Sequence, residues 1–153
     1  MNDPQVFVGA LSVALDSANE LVRIPVVRDL HISEYGLFND AGADAGDSDG
    51  ALELCVIDSA NNITVVQTAV GSTAFDRGEL LVARCDLSVS KTEDKYTLNG
   101  TTTSDAQGTT AVLLRVKSGA VFATSSTGQG YIVARVGGAG AGAATGEVAP
   151  TLS

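Results

Sequence analysis

His31 is the only histidine in the chain, so it is the one imidazole that could act as a general base near neutral pH. Serine or cysteine catalysis needs such a base beside a nucleophile. His31 stands between Leu30 and Ile32 in an alternating stretch, and its side chain is expected on the face opposite those two. We therefore interpret His31 as a structural or surface residue. The 18 acidic residues single out no pair for carboxylate catalysis, and we predict no catalytic residue.

Asp44, Asp47 and Asp49 lie in a short stretch that is dense in carboxylate oxygens, the ligands that Ca²⁺ prefers. An EF-hand loop aligned on this stretch would also need an aspartate at position 45 and a glutamate at position 56. The chain has Ala45 and Val56 there, so the EF-hand pattern fails twice. Two interpretations stay open, a solvated acidic turn and a cation site of another kind. We predict no metal site and no cofactor.

Cys55 and Cys85 each lie within an alternating stretch of strand type. Cys85 shares its apolar row with Leu81 and Leu87, which predicts a small buried side chain. A disulfide between the two cysteines requires Cα atoms within about 7 Å of each other. The sequence leaves open whether they are bridged.

The composition is that of a single acidic domain. The 153 residues correspond to about one domain, and charged residues make up 18% of them. The net charge of −9 repels phosphate backbones and anionic lipid headgroups, which predicts neither a nucleic-acid nor a membrane partner. Half of the acidic residues lie between Arg28 and Arg77, where the sequence has no Lys or Arg. This acidic stretch is either a solvated face or a face that meets a basic partner or a cation.

Alternation of apolar with other residues predicts that most of the chain forms β-strands. In the clearest case, a strand at 52–57 is followed by turn-forming residues 58–61 and a second strand at 62–68. Each strand is expected to bury one face and to leave the other in water. The other predicted strands are 21–27, 30–38, 81–89, 109–117, 120–123 and 132–136. The predicted core residues are Leu54, Val56, Leu81, Cys85, Leu87, Val112, Leu114 and Ile132.

Residues 9–22 fit two patterns. Leu11, Val13 and Leu15 alternate as in a strand, whereas the spacing of Leu11, Leu15 and Val22 also fits one face of a helix. We favour the strand, because its neighbours in the sequence are rich in β-strand patterns. With about eight or nine short strands and no βαβ unit, the chain is expected to be all-β. The predicted fold is an antiparallel β-sandwich of jelly-roll or related Greek-key type.

The domain organisation follows from where these patterns begin and end. We predict that residues 1–136 form a single β-sandwich domain, in which residues 1–5 are a short N-terminal arm. Residues 137–153 are a Gly/Ala-rich C-terminal arm with little apolar side-chain area. That arm is either a disordered end or an extended segment that orders on a neighbouring subunit, and we expect the domain to fold without it.

The hairpin at 52–68 is followed by a turn at 75–79 in which a glycine precedes an acidic residue. The last predicted strand, 131–136, leads into the Gly/Ala tail. This order, together with the acidic and Trp-free composition, resembles the small jelly-roll proteins of tailed-bacteriophage virions. The resemblance covers residues 20–136 in general style and matches no signature residue, so it assigns no functional residue.

What this resemblance implies is a non-enzymatic capsid decoration, or cement, protein on the outer surface of the virion head. Its partners would be the major capsid protein and further copies of itself, in a homo-oligomer such as a trimer. Its arms would extend onto neighbouring subunits and stabilise the contacts between major capsid subunits. No nucleic acid, membrane or cofactor enters this prediction.

The alternative is a head- or tail-fibre module that recognises a host-cell glycan. Its site would lie on exposed loops such as 40–50 or 125–129. Sugar-binding sites usually present aromatic side chains, and this chain is only 5% aromatic with no Trp, which weakens the alternative. A small hydrolase is the third hypothesis, and it lacks any set of catalytic residues.

Overall fold

The computed structural model describes residues 3–15, 18–41, 50–70, 78, 80–104, 108–117 and 127–137. Within these ranges the chain forms eleven β-strands and no helix. The strands are β1 (Gln5–Val8), β2 (Val13–Ala14), β3 (Glu20–Pro25), β4 (Leu30–Ala41), β5 (Ala51–Asp58), β6 (Ile63–Val70), β7 (Leu80–Val89), β8 (Lys95–Leu98), β9 (Thr101–Ser104), β10 (Thr109–Val116) and β11 (Thr127–Val136).

The strands pair in two antiparallel sheets. The seven-stranded sheet has the order β1-β11-β4-β7-β8-β9, with β2 added on β11, and the four-stranded sheet has the order β3-β10-β5-β6. Strands that are distant in sequence are therefore neighbours in space, as Greek-key connections require. The all-β antiparallel sandwich predicted from the sequence is confirmed, with eleven described strands in place of eight or nine.

Three differences from the sequence prediction concern strands. Residues 9–22 contribute β2 and the start of β3, and their described part contains no helix. Residues 95–104 form the hairpin of β8 and β9, which the sequence pattern did not predict. Gln5, the last residue of the expected N-terminal arm, lies in β1 and pairs with Ala134. The predicted strand at 120–123 and the tail residues 138–153 lie outside the described residues.

The core lies between the two sheets. Leu54, Val56, Leu87, Val112, Leu114 and Ile132 are all buried, as predicted. Leu81 and Cys85 are only half-buried and pack against the edge of this core. Burial of this apolar area, at roughly 25 cal/mol per Å², is the main favourable term in holding one sheet on the other.

The two central strands of the four-stranded sheet depart from the expected one-sided burial. Cys55, Ile57, Ala111 and Leu113 point away from the main core and form a second buried cluster on the outer side of this sheet. Glu53 on the same side is also buried and accepts a hydrogen bond from Arg115 Nε at 2.9 Å. The prediction that each strand leaves one face in water is therefore wrong for β5 and β10, because the outward positions of both strands are also apolar and pack into a buried cluster of their own.

The predicted hairpin turn between β5 and β6 is confirmed. The Asp58 carboxylate accepts hydrogen bonds from the backbone N–H groups of Ala60 and Asn62, both at 2.9 Å. These bonds lower the pKa of Asp58. Asn61 has a positive φ of 66°, which Asn tolerates better than most residues. An aspartate and an asparagine thus supply the turn chemistry that this tight connection needs.

Leu114→Ala should destabilise the protein by about 2–5 kcal/mol, because the removed side chain is fully buried between the sheets. Urea unfolding followed by circular dichroism measures the change. Leu80→Ala is the matched control, since Leu80 is 53% exposed and should change the free energy of unfolding by less than about 0.5 kcal/mol. Equal effects of the two substitutions would contradict the assignment of Leu114 to the core-facing side of β10.

Candidate functional site

A β-bulge in β4 determines which of its side chains face outward. Ile32 and Glu34 pair with the adjacent β11 residues Ala134 and Val133, so Ser33 is one residue more than β11 has at this point. The register against β7 shifts at the same place. Leu30 and Ile32 before the bulge and Tyr35 and Leu37 after it are all buried in the core. The extra residue therefore turns Glu34 to the outer surface of the seven-stranded sheet.

Tyr131 of β11 lies against Gly36 of β4 on this outer surface. The two residues are directly paired across the strands. A Cβ atom at position 36 would come within 2.6 Å of Tyr131 Cε1 and within 2.2 Å of the Leu81 carbonyl oxygen. Only a glycine lets the tyrosine ring and the neighbouring backbone approach this closely.

A carboxylate and a guanidinium flank this ring. The Tyr131 hydroxyl donates a hydrogen bond to Glu34 Oε2 at 2.7 Å, and Arg84 Nη1 lies 3.3 Å from Glu34 Oε1. Burial and the Glu34 carboxylate raise the pKa of Tyr131, so the hydroxyl stays protonated and donates. The side chain of Arg84 is 80% exposed and retains donors for a partner.

Apolar side chains surround this polar group. Val8, Tyr131, Gly36 and Val82 follow one another across four adjacent strands. We call the exposed apolar side chains that point outward from these strands, together with Tyr131, the outer apolar face. Its members are Val6, Val8, Phe38, Leu80, Val82 and Tyr131. Its five aliphatic and phenylalanine members are between 39% and 62% exposed. Exposed apolar patches of this kind are typical of surfaces that contact other proteins.

His31 faces outward on β4, opposite the buried Leu30 and Ile32. Its Nε2 atom lies 2.7 Å from Asp86 Oδ1. A serine relay would need a hydroxyl on the second ring nitrogen, and His31 Nδ1 is buried with no hydrogen-bond partner in the described part of the chain. The pair joins β4 to β7.

Residues 42–49, which include Asp44, Asp47 and Asp49, lie outside the described residues. Residues 46–50 read Gly-Asp-Ser-Asp-Gly, which matches the Gly-x-Ser-x-Gly spacing of a nucleophile turn. In such turns a helix follows the serine, whereas β5 begins directly after Gly50 here. Among the described residues, no group of three or more His, Cys, Asp or Glu side chains could hold a metal ion.

A depression of ≈ 290 Å³ beside β8 is lined by polar groups that already bind each other. Asp29 Oδ1 accepts a hydrogen bond from the Lys91 backbone at 2.7 Å, and Ser90 Oγ accepts one from the Glu93 backbone at 2.9 Å. Lys95 Nζ lies 3.4 Å from Glu93 Oε2. These contacts hold the chain between β7 and β8 and do not converge on a point where a small molecule would sit.

Cys55 and Cys85 are both free, which answers the question that the sequence left open. Burial raises the pKa of each thiol to about 11. The Cys85 thiol donates a weak hydrogen bond to the Ile32 carbonyl oxygen at 3.5 Å. Both cysteines are therefore structural side chains with little thiolate at neutral pH.

No protein-family model, curated protein or solved structure matches this chain. In the part of the chain that the structure describes, no helix is long and apolar enough to cross a membrane. Function is therefore inferred from the geometry of the outer apolar face.

The sequence pattern alone singles out none of Glu34, Gly36, Arg84 and Tyr131. They are brought together by pairing between strands that lie 50 to 100 residues apart. A local signal does exist in β4, where the apolar positions change from even numbers to odd numbers after Ser33. That change of parity indicates a bulge, and it predicts that Glu34 points outward.

Gly36→Ala should destabilise the protein by about 1–3 kcal/mol, because the added methyl group meets both the Leu81 carbonyl and the Tyr131 ring. Thermal unfolding measures the loss. Tyr131→Phe is the control: it keeps the ring, loses one hydrogen bond, and should cost about 1 kcal/mol. A Gly36→Ala variant as stable as the wild type would contradict the close approach.

Native protein should react slowly with a thiol reagent such as DTNB at pH 8, and two thiols should react per chain after denaturation. The thiol pKa values are about 11 in the folded protein and 9.0 for a free thiol, so the unfolded chain loses these protons first. The free energy of unfolding should therefore be constant below about pH 9 and decline as the pH rises towards about 11. Cys55→Ser together with Cys85→Ser should flatten this decline. Fast labelling of both native thiols would contradict their burial.

Proposed function

We propose that this protein is a non-enzymatic structural protein whose working surface is the outer apolar face. In the specific form that the sequence resemblance implies, it is a head decoration protein of a tailed bacteriophage. It would lie on the outer capsid surface, bind major capsid subunits and associate with copies of itself. The observation that carries the proposal is the cluster of exposed apolar side chains on four adjacent strands around Tyr131.

The size of the outer apolar face supports a repeated, individually weak contact. Four strands spaced about 4.8 Å apart and three outward rows about 7 Å apart span roughly 14 Å by 14 Å between their outermost Cα atoms. A standard protein interface buries about 800 Å² on each partner, which is well above that footprint. A lattice compensates for weak single contacts, because many copies bind side by side and the contacts act together.

The charge distribution supports an apolar partner surface at this site. The chain carries a net charge of −9, but the two charged side chains that the outer apolar face surrounds, Glu34 and Arg84, have opposite signs. The Glu34 and Arg84 side chains beside it neutralise each other. Contact through this face would therefore depend weakly on salt, whereas contact through the acidic stretch between Arg28 and Arg77 would depend on it strongly.

One observation favours the glycan-binding alternative. Tyr131 combines an aromatic ring with the adjacent Glu34 carboxylate and Arg84 guanidinium, and sugar-binding sites use this combination of ring stacking and polar contacts. A glycan array with wild type and Tyr131→Ala tests it. Specific glycan binding that the substitution abolishes would replace the decoration hypothesis by the host-recognition one.

Val82→Lys should reduce binding to purified phage heads from the source of the gene by at least about tenfold, because it places an unpaired charge in the outer apolar face. Co-sedimentation measures binding, and cryo-electron microscopy locates the protein. Val65→Lys is the matched control, since Val65 is 40% exposed, close to the 42% of Val82, but lies on the other sheet. Absence of the protein from the heads, or equal loss in both variants, would overturn the proposal.

A further inference from the structure

Strand β1 lies at one end of the described strand order of the seven-stranded sheet. Among the described strands it pairs only with β11. The Gly9 N–H donates to the Gly130 carbonyl at 3.0 Å, so the alternation of an antiparallel ladder directs the main-chain groups of Gln5 and Phe7 towards β11 as well. The N–H and C=O groups of Val6 and Val8 therefore point away from the sheet.

This edge lacks the features that usually protect a strand from pairing with another chain. The corresponding edge of the other sheet, β3, carries the Glu20–Arg23 ion pair at 2.8 Å and ends in Pro25. In contrast, residues 4–11 contain no charged side chain. Val6 and Val8 also expose 62% and 61% of their surface.

We propose that β1 pairs with β1 of a second copy of this chain, antiparallel and about a two-fold axis at Phe7. In this register Val6 of each copy lies opposite Val8 of the other. Each Val6–Val8 pair forms two main-chain hydrogen bonds, from the N–H of one residue to the carbonyl oxygen of the other and back. The free edge would thus gain four hydrogen bonds, and the two seven-stranded sheets would become one continuous sheet.

Side chains on both faces of β1 fit this pairing. On the outer side, the exposed Val6 and Val8 of each copy form cross-strand pairs, which stabilise antiparallel strands. On the inner side, the two Phe7 rings meet over an open groove of ≈ 590 Å³ between β1 and β3. That groove has an apolar floor at Leu21 and Val22, so it offers space for an aromatic ring.

A second copy matches this edge better than a charged partner would. Two chains that each carry −9 repel one another, and an uncharged strand is where that repulsion is smallest. The same two residues supply every donor and acceptor, so the edge is complementary to itself. Pro4 has no N–H and ends the ladder. Because such a contact uses the same surface on both copies, it closes at a dimer and leaves the rest of the outer apolar face free.

This inference specifies the self-association that belongs to the proposed function, and it is tested without capsids. Analytical ultracentrifugation from about 10 µM to about 1 mM should show a monomer–dimer equilibrium, the range expected of a small interface. Over the same range, NMR should show amide exchange of Val6 and Val8 slowing by at least about tenfold, while the amide of Phe7 is protected throughout. A chain that stays monomeric, or a dimer with unprotected Val6 and Val8 amides, would overturn the proposal.

Val8→Pro removes one free-edge N–H and no bond to β11, so it should keep the fold and lose the dimer. Val8→Thr retains the N–H and should dimerise within about threefold of wild type. If the proline variant does not fold, Val6→Lys serves instead, because it replaces the apolar partner of each Val8 by a lysine and places the two like charges diagonally across the pairing. Val82→Lys should dimerise like the wild type even where it fails to bind heads, so failure of the capsid proposal and failure of this one give different results.

Discussion

The bulge in β4 is the constraint on which both the core and the surface depend. Side chains alternate along a strand, so one extra residue at Ser33 exchanges the two faces for everything that follows. Tyr35 and Leu37 thereby enter the core, Glu34 turns to the outer surface, and Gly36 lies buried against the Tyr131 ring. Without the extra residue, a carboxylate would be buried between the sheets at a cost of several kcal/mol.

Tyr35 carries its hydroxyl group into the core, and a side chain of the opposite sheet forms a hydrogen bond with that hydroxyl. Gln67 of β6 donates from Nε2 to the Tyr35 hydroxyl at 2.8 Å and to the Arg84 carbonyl at 3.2 Å. Burial raises the pKa of Tyr35 to about 12, so the hydroxyl is neutral at any physiological pH. One amide thus ties β6 to two strands of the other sheet, including the β7 residue whose side chain flanks the outer apolar face.

The sequence predicted the strands and turns that depend only on residues close together in the chain. The hairpin of β5 and β6, the long strands β7, β10 and β11, and the turn at Asp58 follow from alternation and turn chemistry. Burial on both sides of β5 was not predictable from its own alternation, because it depends on the outward side chains of β10, a strand more than 50 residues away, that pack beside it. The group around Tyr131 was not predictable either, because strand register is decided by global packing rather than by neighbours in sequence.

The first described strand of the chain pairs with the last one, Gln5 opposite Ala134. A ribosome must therefore synthesise the chain as far as β11 before β1 can pair with its neighbour. Until then β11 is missing as well, and β4 has a neighbour on one side only. Contacts of such long range close slowly. The surface around Tyr131 therefore forms only after β11 has been synthesised, so that an unfinished chain cannot present it.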